Sequence, residues 1–171
     1  MRKTHAAIGS TAFFIAAPGT VTVLIPWMIT GWESRDLLPA TLSWATPVLR
    51  AVGVALILAG SAVVINAFVR FVVNGLGTPA PVAPPEHLVV TGLYRYVRNP
   101  MYVGVLAVII GEALLLGRWA LLVYAAIAFA CMYTFVRVYE EPKLRRTFGN
   151  EYETYRAAVP GWWPRLRPWR P

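Results

Sequence analysis

The string His87-Leu-Val-Val-Thr-Gly-Leu-Tyr94-Arg95-Tyr-Val-Arg98-Asn99-Pro100-Met101-Tyr102 gathers hydrogen-bond donors, aromatic rings and two arginines just ahead of an apolar run. Pro100 suits the first turn of a helix, where a missing N–H is no loss. Asn99 then falls near the N-cap, and the free N–H groups of the turn that follows offer a place for an anion such as a carboxylate. A capped helix start with Tyr and Arg anchors at a membrane interface would use the same residues. A second constellation, Arg137-Val-Tyr-Glu140-Glu141-Pro142, closes another apolar run, and its spacing of four places Arg137 and Glu141 on one helix face. Such an arginine can grip an anionic head group, and such a glutamate can accept hydrogen bonds from ribose hydroxyls. A snorkelling arginine beside a solvated carboxylate is the plainer reading of the same pair.

The elements that must position these residues are helices in a membrane. Of 171 residues, 57% are hydrophobic and 14% charged, which points to one all-α integral membrane domain rather than a water-soluble one. About four transmembrane helices are expected, over 6–30, 50–73, 101–117 and 119–138. Nothing ionises between His5 and Glu33, and Pro18 and Pro26 are expected to kink that first span. Arg50 and Arg70 bound the second, with Asn66 near its inner end. The third and fourth are separated only by Gly117 and Arg118, which requires an antiparallel hairpin. Two segments remain outside the bilayer: 75–100, broken by Pro79, Pro81, Pro84 and Pro85, and 140–165. In the second of these Leu144, Phe148, Tyr152, Tyr155 and Val159 recur at helical spacing, as in an amphipathic helix resting on the membrane.

Sixteen Lys and Arg against eight Asp and Glu give a net charge of +8. Eight of these cations lie at or beyond Arg137, among Trp162, Trp163 and Trp169, a mixture that suits a lipid surface rather than nucleic acid. Arg2, Lys3, Arg70, Arg95, Arg98 and the tail fall on one side of the membrane, so the positive-inside rule places both termini in the cytoplasm. Cys131 is the sole cysteine, which excludes an intrachain disulfide and a multi-cysteine metal site, and no metal is expected. Gly75-Leu-Gly77 is followed by Thr-Pro with no βαβ pattern, so no soluble dinucleotide fold is present.

Together with Phe148-Gly-Asn-Glu151-Tyr152-Glu-Thr-Tyr155 and Val159-Pro160, these strings resemble the isoprenylcysteine carboxyl methyltransferase and phospholipid methyltransferase superfamily. The likeness spans roughly His87 to Pro164, and its pieces stand in that superfamily's order. It implies an S-adenosyl-L-methionine cofactor site, built from the loop and the C-terminal amphipathic helix, in a multi-pass protein of a bacterial cell membrane. The implied cofactor contacts are His87, Leu88, Val89, Val90, Tyr94, Arg98, Asn99, Pro100, Met101, Tyr102 and Glu141. Arg137 would face a lipophilic methyl acceptor, and the catalytic roles fall to Arg137 and Glu141. One departure stands out: the superfamily's histidine before proline is Asn99 here, which keeps a donor but cannot take a positive charge.

Methyl transfer from a sulfonium needs alignment and exclusion of water more than acids or bases. An acceptor carboxylate, such as that of an isoprenylated cysteine, is already nucleophilic at neutral pH, whereas an amine or thiol would want a base such as Glu141, Glu112 or His87. Glu112 stands inside the third apolar run, where a charge costs at least about 2.5 kcal/mol. It is expected to face the bundle, paired with a polar group or neutral, and is a candidate to line the acceptor cavity. Two other classes remain open: a membrane sterol-type reductase using NADPH, which has a related Arg-His-Pro-like string, and a non-enzymatic protein whose basic tail binds anionic lipid.

Overall fold

The computed structural model describes residues 16–73, 88 and 90–170. Five helices carry the architecture: α1 (Ala16–Thr30), α2 (Thr46–Val73), α3 (Pro100–Leu116), α4 (Trp119–Phe135) and α5 (Glu141–Ala158). The described residues contain no strand. Two stretches, Ala40–Arg70 and Trp119–Ala158, are long and apolar enough to cross a membrane, and Ala16–Thr30 and Pro100–Leu116 are shorter apolar helices. Only 17% and 22% of the most apolar windows in the two long stretches are buried within the protein, so they are not core helices of a water-soluble fold. Met28, Leu58, Ile127 and Val48 point outward. Helices apolar on nearly every face suit a hydrocarbon solvent.

The centre of the bundle is the antiparallel packing of α2 on α3. A Cβ added to Gly53 would stand 2.6 Å from the carbonyl oxygen of Gly111, and one added to Gly60 would stand 2.6 Å from that of Gly104. The two glycines on each helix are seven residues apart, so both contacts fall on one seam and let the backbones touch. Next to it Val64, Val105, Ile109, Ala125 and Ala128 form a buried cluster that joins α4 to the pair. The Gly117–Arg118 hairpin is as expected, with Gly117 in the left-handed conformation that ends α3. Arg35 N–H donates to Leu116 O at 2.8 Å, so the first connection packs directly on this turn.

Several boundaries depart from expectation. The second helix begins at Thr46 rather than near residue 50, because Pro47 fits its first turn after the 3-10 turn Ala40–Ala45. The chain does not separate the fourth span, expected to end at 138, from the amphipathic helix expected from 140. Instead a π-turn, Val136–Glu140, carries α4 directly into α5. Pro26 sits in the same position after the π-turn Thr20–Leu24. A proline removes one N–H and crowds the carbonyl four residues earlier, and the wider π-turn accommodates both effects. The helix after Pro142 ends at Ala158, within one residue of the last periodic position, Val159, and it kinks at Gly149 (φ 51°, ψ −126°), a conformation open essentially to glycine alone.

The periodic face of α5 packs inward. Tyr152, Tyr155 and Val159 are buried against Leu88, Val90, Leu144, Phe148 and Trp169. The tail then runs back along the loop that precedes α3: Arg98 N–H donates to Pro160 O, Asn99 N–H to Gly161 O, Arg165 N–H to Tyr96 O and Trp169 N–H to Arg95 O. Of the three tail tryptophans expected on the lipid surface, Trp162 and Trp169 turn into aromatic contacts, while Trp163 is 81% exposed. Loop, α5 and tail thus form one layer across the end of the bundle.

Candidate cofactor site

The loop from Thr91 to Asn99 and the start of α5 meet at Arg98. Its Nη1 donates to Glu141 Oε1 at 2.9 Å and to the Tyr152 hydroxyl at 3.0 Å, and its Nε donates to Val159 O at 2.9 Å. The Arg98 and Glu141 side chains are 12% and 7% exposed, so this is a desolvated pair completed by neutral partners. The expected pairing four residues apart is present across the π-turn: Arg137 Nη1 donates to Glu141 Oε2 at 3.2 Å. Arg156 Nε lies 3.6 Å from the same oxygen. Burial alone would push the Glu141 pKa up. The hydrogen bond and charge of Arg98, joined by Arg137 and Arg156, outweigh it and hold the carboxyl below its ordinary value of 4.5.

Beside this pair, Tyr102 on the first turn of α3 donates its hydroxyl to Glu140 Oε1 at 2.5 Å. Burial raises the Glu140 pKa, and the Tyr102 hydrogen bond only partly opposes it. Tyr94 is buried, and its phenol is pushed far up by desolvation, with Tyr155 and Glu140 adding to the effect. The Tyr155 hydroxyl donates to Tyr94 O at 2.7 Å, which ties the loop to α5. Trp162 lies 6.2 Å from the Tyr102 ring, 5.1 Å from Phe129 and 5.9 Å from Tyr133, forming an aromatic wall beside the carboxylates. Arg137 rests over the Tyr133 ring with its guanidinium carbon 5.5 Å from the centroid.

Asn99 is the N-cap of α3, its carbonyl accepting from Val103 N–H at 3.2 Å, yet its side chain makes no capping bond. Its Nδ2 is buried without a partner among the described residues. A buried donor left unpaired costs about 1–3 kcal/mol, so an acceptor brought by a ligand would be favoured at this position. It stands beside the free N–H groups of the first turn of α3, a donor set that fits the carboxylate of an amino-acid moiety.

The expected site residues therefore divide. Tyr94, Asn99, Pro100, Tyr102, Arg137 and Glu141 gather where the loop, the start of α3 and the π-turn meet. Arg98 is there too, but spends its Nε and Nη1 on the protein and acts as the tie between segments. Leu88 and Val90 pack on the Tyr152–Tyr155–Val159 cluster, and Met101 packs on the bundle core. His87 and Val89 lie outside the described residues. Glu112 is buried in α3, ten residues beyond Tyr102 and hence about 15 Å along the axis, and its Oε2 has no partner among the described residues. It does not join the cluster. Sequence reasoning missed Glu140, Tyr152, Arg156 and Trp162 as members. For Glu140 a signal was present: two adjacent carboxylates closing an apolar run both need partners, and only one had been assigned.

The family model for phospholipid methyltransferases matches residues 48–151, and the chain belongs to that family. Over 76 residues the chain is 37% identical to the protein-S-isoprenylcysteine O-methyltransferase of Schizosaccharomyces pombe. That match covers 44% of this chain and 32% of the yeast protein, so the likeness extends over about a third of the relative's length. Among the described residues no group of three or more His, Cys, Asp or Glu side chains could hold a metal ion.

Proposed function

We propose that the chain is an S-adenosyl-L-methionine-dependent methyltransferase acting at the membrane interface on a lipophilic acceptor, most simply a carboxylate such as that of an isoprenylated cysteine. The observation that carries this reading is the buried Asn99 Nδ2 at the start of α3, unpartnered among the described residues and lying in sequence between Arg98 and Tyr102, which bond to Glu141 and Glu140. Membership of the phospholipid methyltransferase family supports the reaction class. In this reading α1 to α4 cross the bilayer as four spans, with both termini and the loop–α5–tail layer at the cytoplasmic face of a bacterial cell membrane.

When bound, S-adenosylmethionine supplies an electrophilic methyl group on a positively charged sulfur. Asn99 Nδ2 and the first-turn N–H groups of α3 hold a carboxylate by donation alone, without a titrating cation. Glu141, kept ionised by its arginines, accepts from hydroxyls through oxygen lone pairs that the arginines leave open. Trp162, Phe129, Tyr133 and Tyr102 exclude water and present ring faces suited to a cationic centre. Arg137 is 46% exposed at the edge of the cluster, where its guanidinium can orient an anionic acceptor. No residue is required to remove a proton from a carboxylate acceptor, so the chain's contribution is alignment and a dry environment.

The test incubates full-length protein in nanodiscs with methyl-labelled S-adenosylmethionine and lipid extract, and in parallel with labelled NADPH. Label should appear in an organic-soluble product heavier by one methylene group. Transfer of hydride from NADPH, with no methyl transfer, would replace this reading with the reductase one.

A further inference from the structure

A hollow of about 500 Å3 opens between the inner end of α2 and the loop–tail layer. None of its lining residues belongs to the Arg98–Glu141–Tyr102 cluster. It is lined by Ala62 and Val63 of α2 together with Asn66, Arg70, Leu93 and Arg95. The two arginines are held rather than free to wander. Arg70 Nε donates to Asn66 Oδ1 at 2.9 Å, and its guanidinium lies so close over Gly92 that any Cβ there would overlap it. Arg95 Nε donates to Trp169 O at 2.6 Å, while Arg95 O accepts from Trp169 N–H at 2.9 Å. Each guanidinium thus has its Nε fixed, and neither has a carboxylate within salt-bridge distance among the described residues.

Two oriented cations on one hollow repel each other unless an anion lies between them. The forked terminal nitrogens of arginine match the oxygens of a phosphate. What continues from the hollow is apolar: α2 has no ionisable residue from Ala51 to Val69, and Leu58, Ile65 and Val69 are about half exposed or more along it. Arg70 therefore marks the level at which hydrocarbon gives way to head groups. We propose that this hollow is a binding site for the phosphate of an anionic glycerophospholipid, gripped by Arg70 and Arg95, with an acyl chain lying along α2. The site is separate from the methyl-donor pocket and does not depend on that reading.

Native mass spectrometry of the full-length protein from dodecyl maltoside micelles tests this with three probes: dioctanoylphosphatidylglycerol, dioctanoylphosphatidylcholine and sn-glycerol 3-phosphate. The anionic lipid should bind at least about tenfold more tightly than the zwitterionic lipid or the soluble phosphate. Arg70→Gln/Arg95→Gln should remove this preference, and Ala62→Trp, which adds bulk to the lining of the hollow and keeps both charges, should weaken lipid binding by a similar factor. Should the double variant fail to fold, Ala62→Trp decides alone. Undiminished phosphatidylglycerol binding by the variants would overturn the proposal, and glycerol phosphate binding as tightly as the lipid would make this a soluble-phosphate site instead. Affinity for S-adenosylhomocysteine, measured on the same variants, should be unchanged, so failure of one site is distinguishable from failure of the other.

Discussion

Replacing Glu141 by alanine removes the carboxylate that meets Arg98, Arg137 and Arg156 at once. The three contacts do not weigh equally. Arg137 and Arg156 are 46% and 29% exposed, so water screens them and their loss contributes little. Arg98 is 12% exposed and would be left with only Tyr152 Oη and Val159 O as acceptors, an uncompensated charge in a desolvated place. Breaking such a pair costs about 3 kcal/mol, the lower end of the usual range because the neutral acceptors remain. For a chain of this size that corresponds to a fall in Tm of roughly 6–12 °C. Glu141→Gln keeps an acceptor for Arg98 without the charge and should fall between the alanine variant and wild type. Thermal unfolding in detergent, followed by tryptophan fluorescence, measures both.

The pH dependence has a defined sign. Glu141 is held below its ordinary value of 4.5 in the folded chain, so its ion pairs stabilise fully above that value. Their contribution is lost as pH falls through the lower, folded-state value. The gap in Tm between wild type and Glu141→Gln should therefore be constant near neutrality and close on acidification below 4.5. An alanine variant that melts with wild type at neutral pH would refute the reasoning, since Arg98 would then have no need of its partner.

Gly60→Leu should destabilise the protein by about 1–3 kcal/mol or more through overpacking, because its Cβ would stand 2.6 Å from Gly104 O. Gly19→Leu meets open space and serves as the control in the same melting experiment. Arg137→Ala should leave S-adenosylhomocysteine affinity unchanged and lower kcat/KM for the acceptor by about tenfold or more, measured by labelled methyl transfer. Asn99→His keeps the donor and adds a charge below its pKa of about 6.5, so cofactor affinity should gain a dependence on pH that wild type lacks. Calorimetric titrations either side of that pH check it.

What could be read from the chain was whatever has a local period or a local stop. Leu144, Phe148, Tyr152, Tyr155 and Val159 describe the buried face of α5, and Gly117–Arg118 describes the α3–α4 hairpin. Arg137 and Glu141, four apart, pair as their spacing suggests. What escaped was set by contacts between distant segments: Tyr102 with Glu140, Arg98 with Glu141, and the tail bonded to residues 95–99. No periodicity encodes such meetings. The break expected between 138 and 140 is a π-turn, and nothing local distinguishes a helix end from a π-turn that carries the helix through. The glycines at 53, 60, 104 and 111 were visible as residues, and only the register of α2 against α3 gives them meaning.

The most direct measurement is calorimetric titration of S-adenosylhomocysteine into the purified wild-type protein and into folded Tyr102→Ala and Glu141→Ala variants. Wild type should bind, and each variant should bind at least about tenfold more weakly, a loss of about 1.4 kcal/mol. Absence of binding by wild type, or equal affinity in all three proteins, would contradict a methyl-donor pocket at the junction of the loop, α3 and α5.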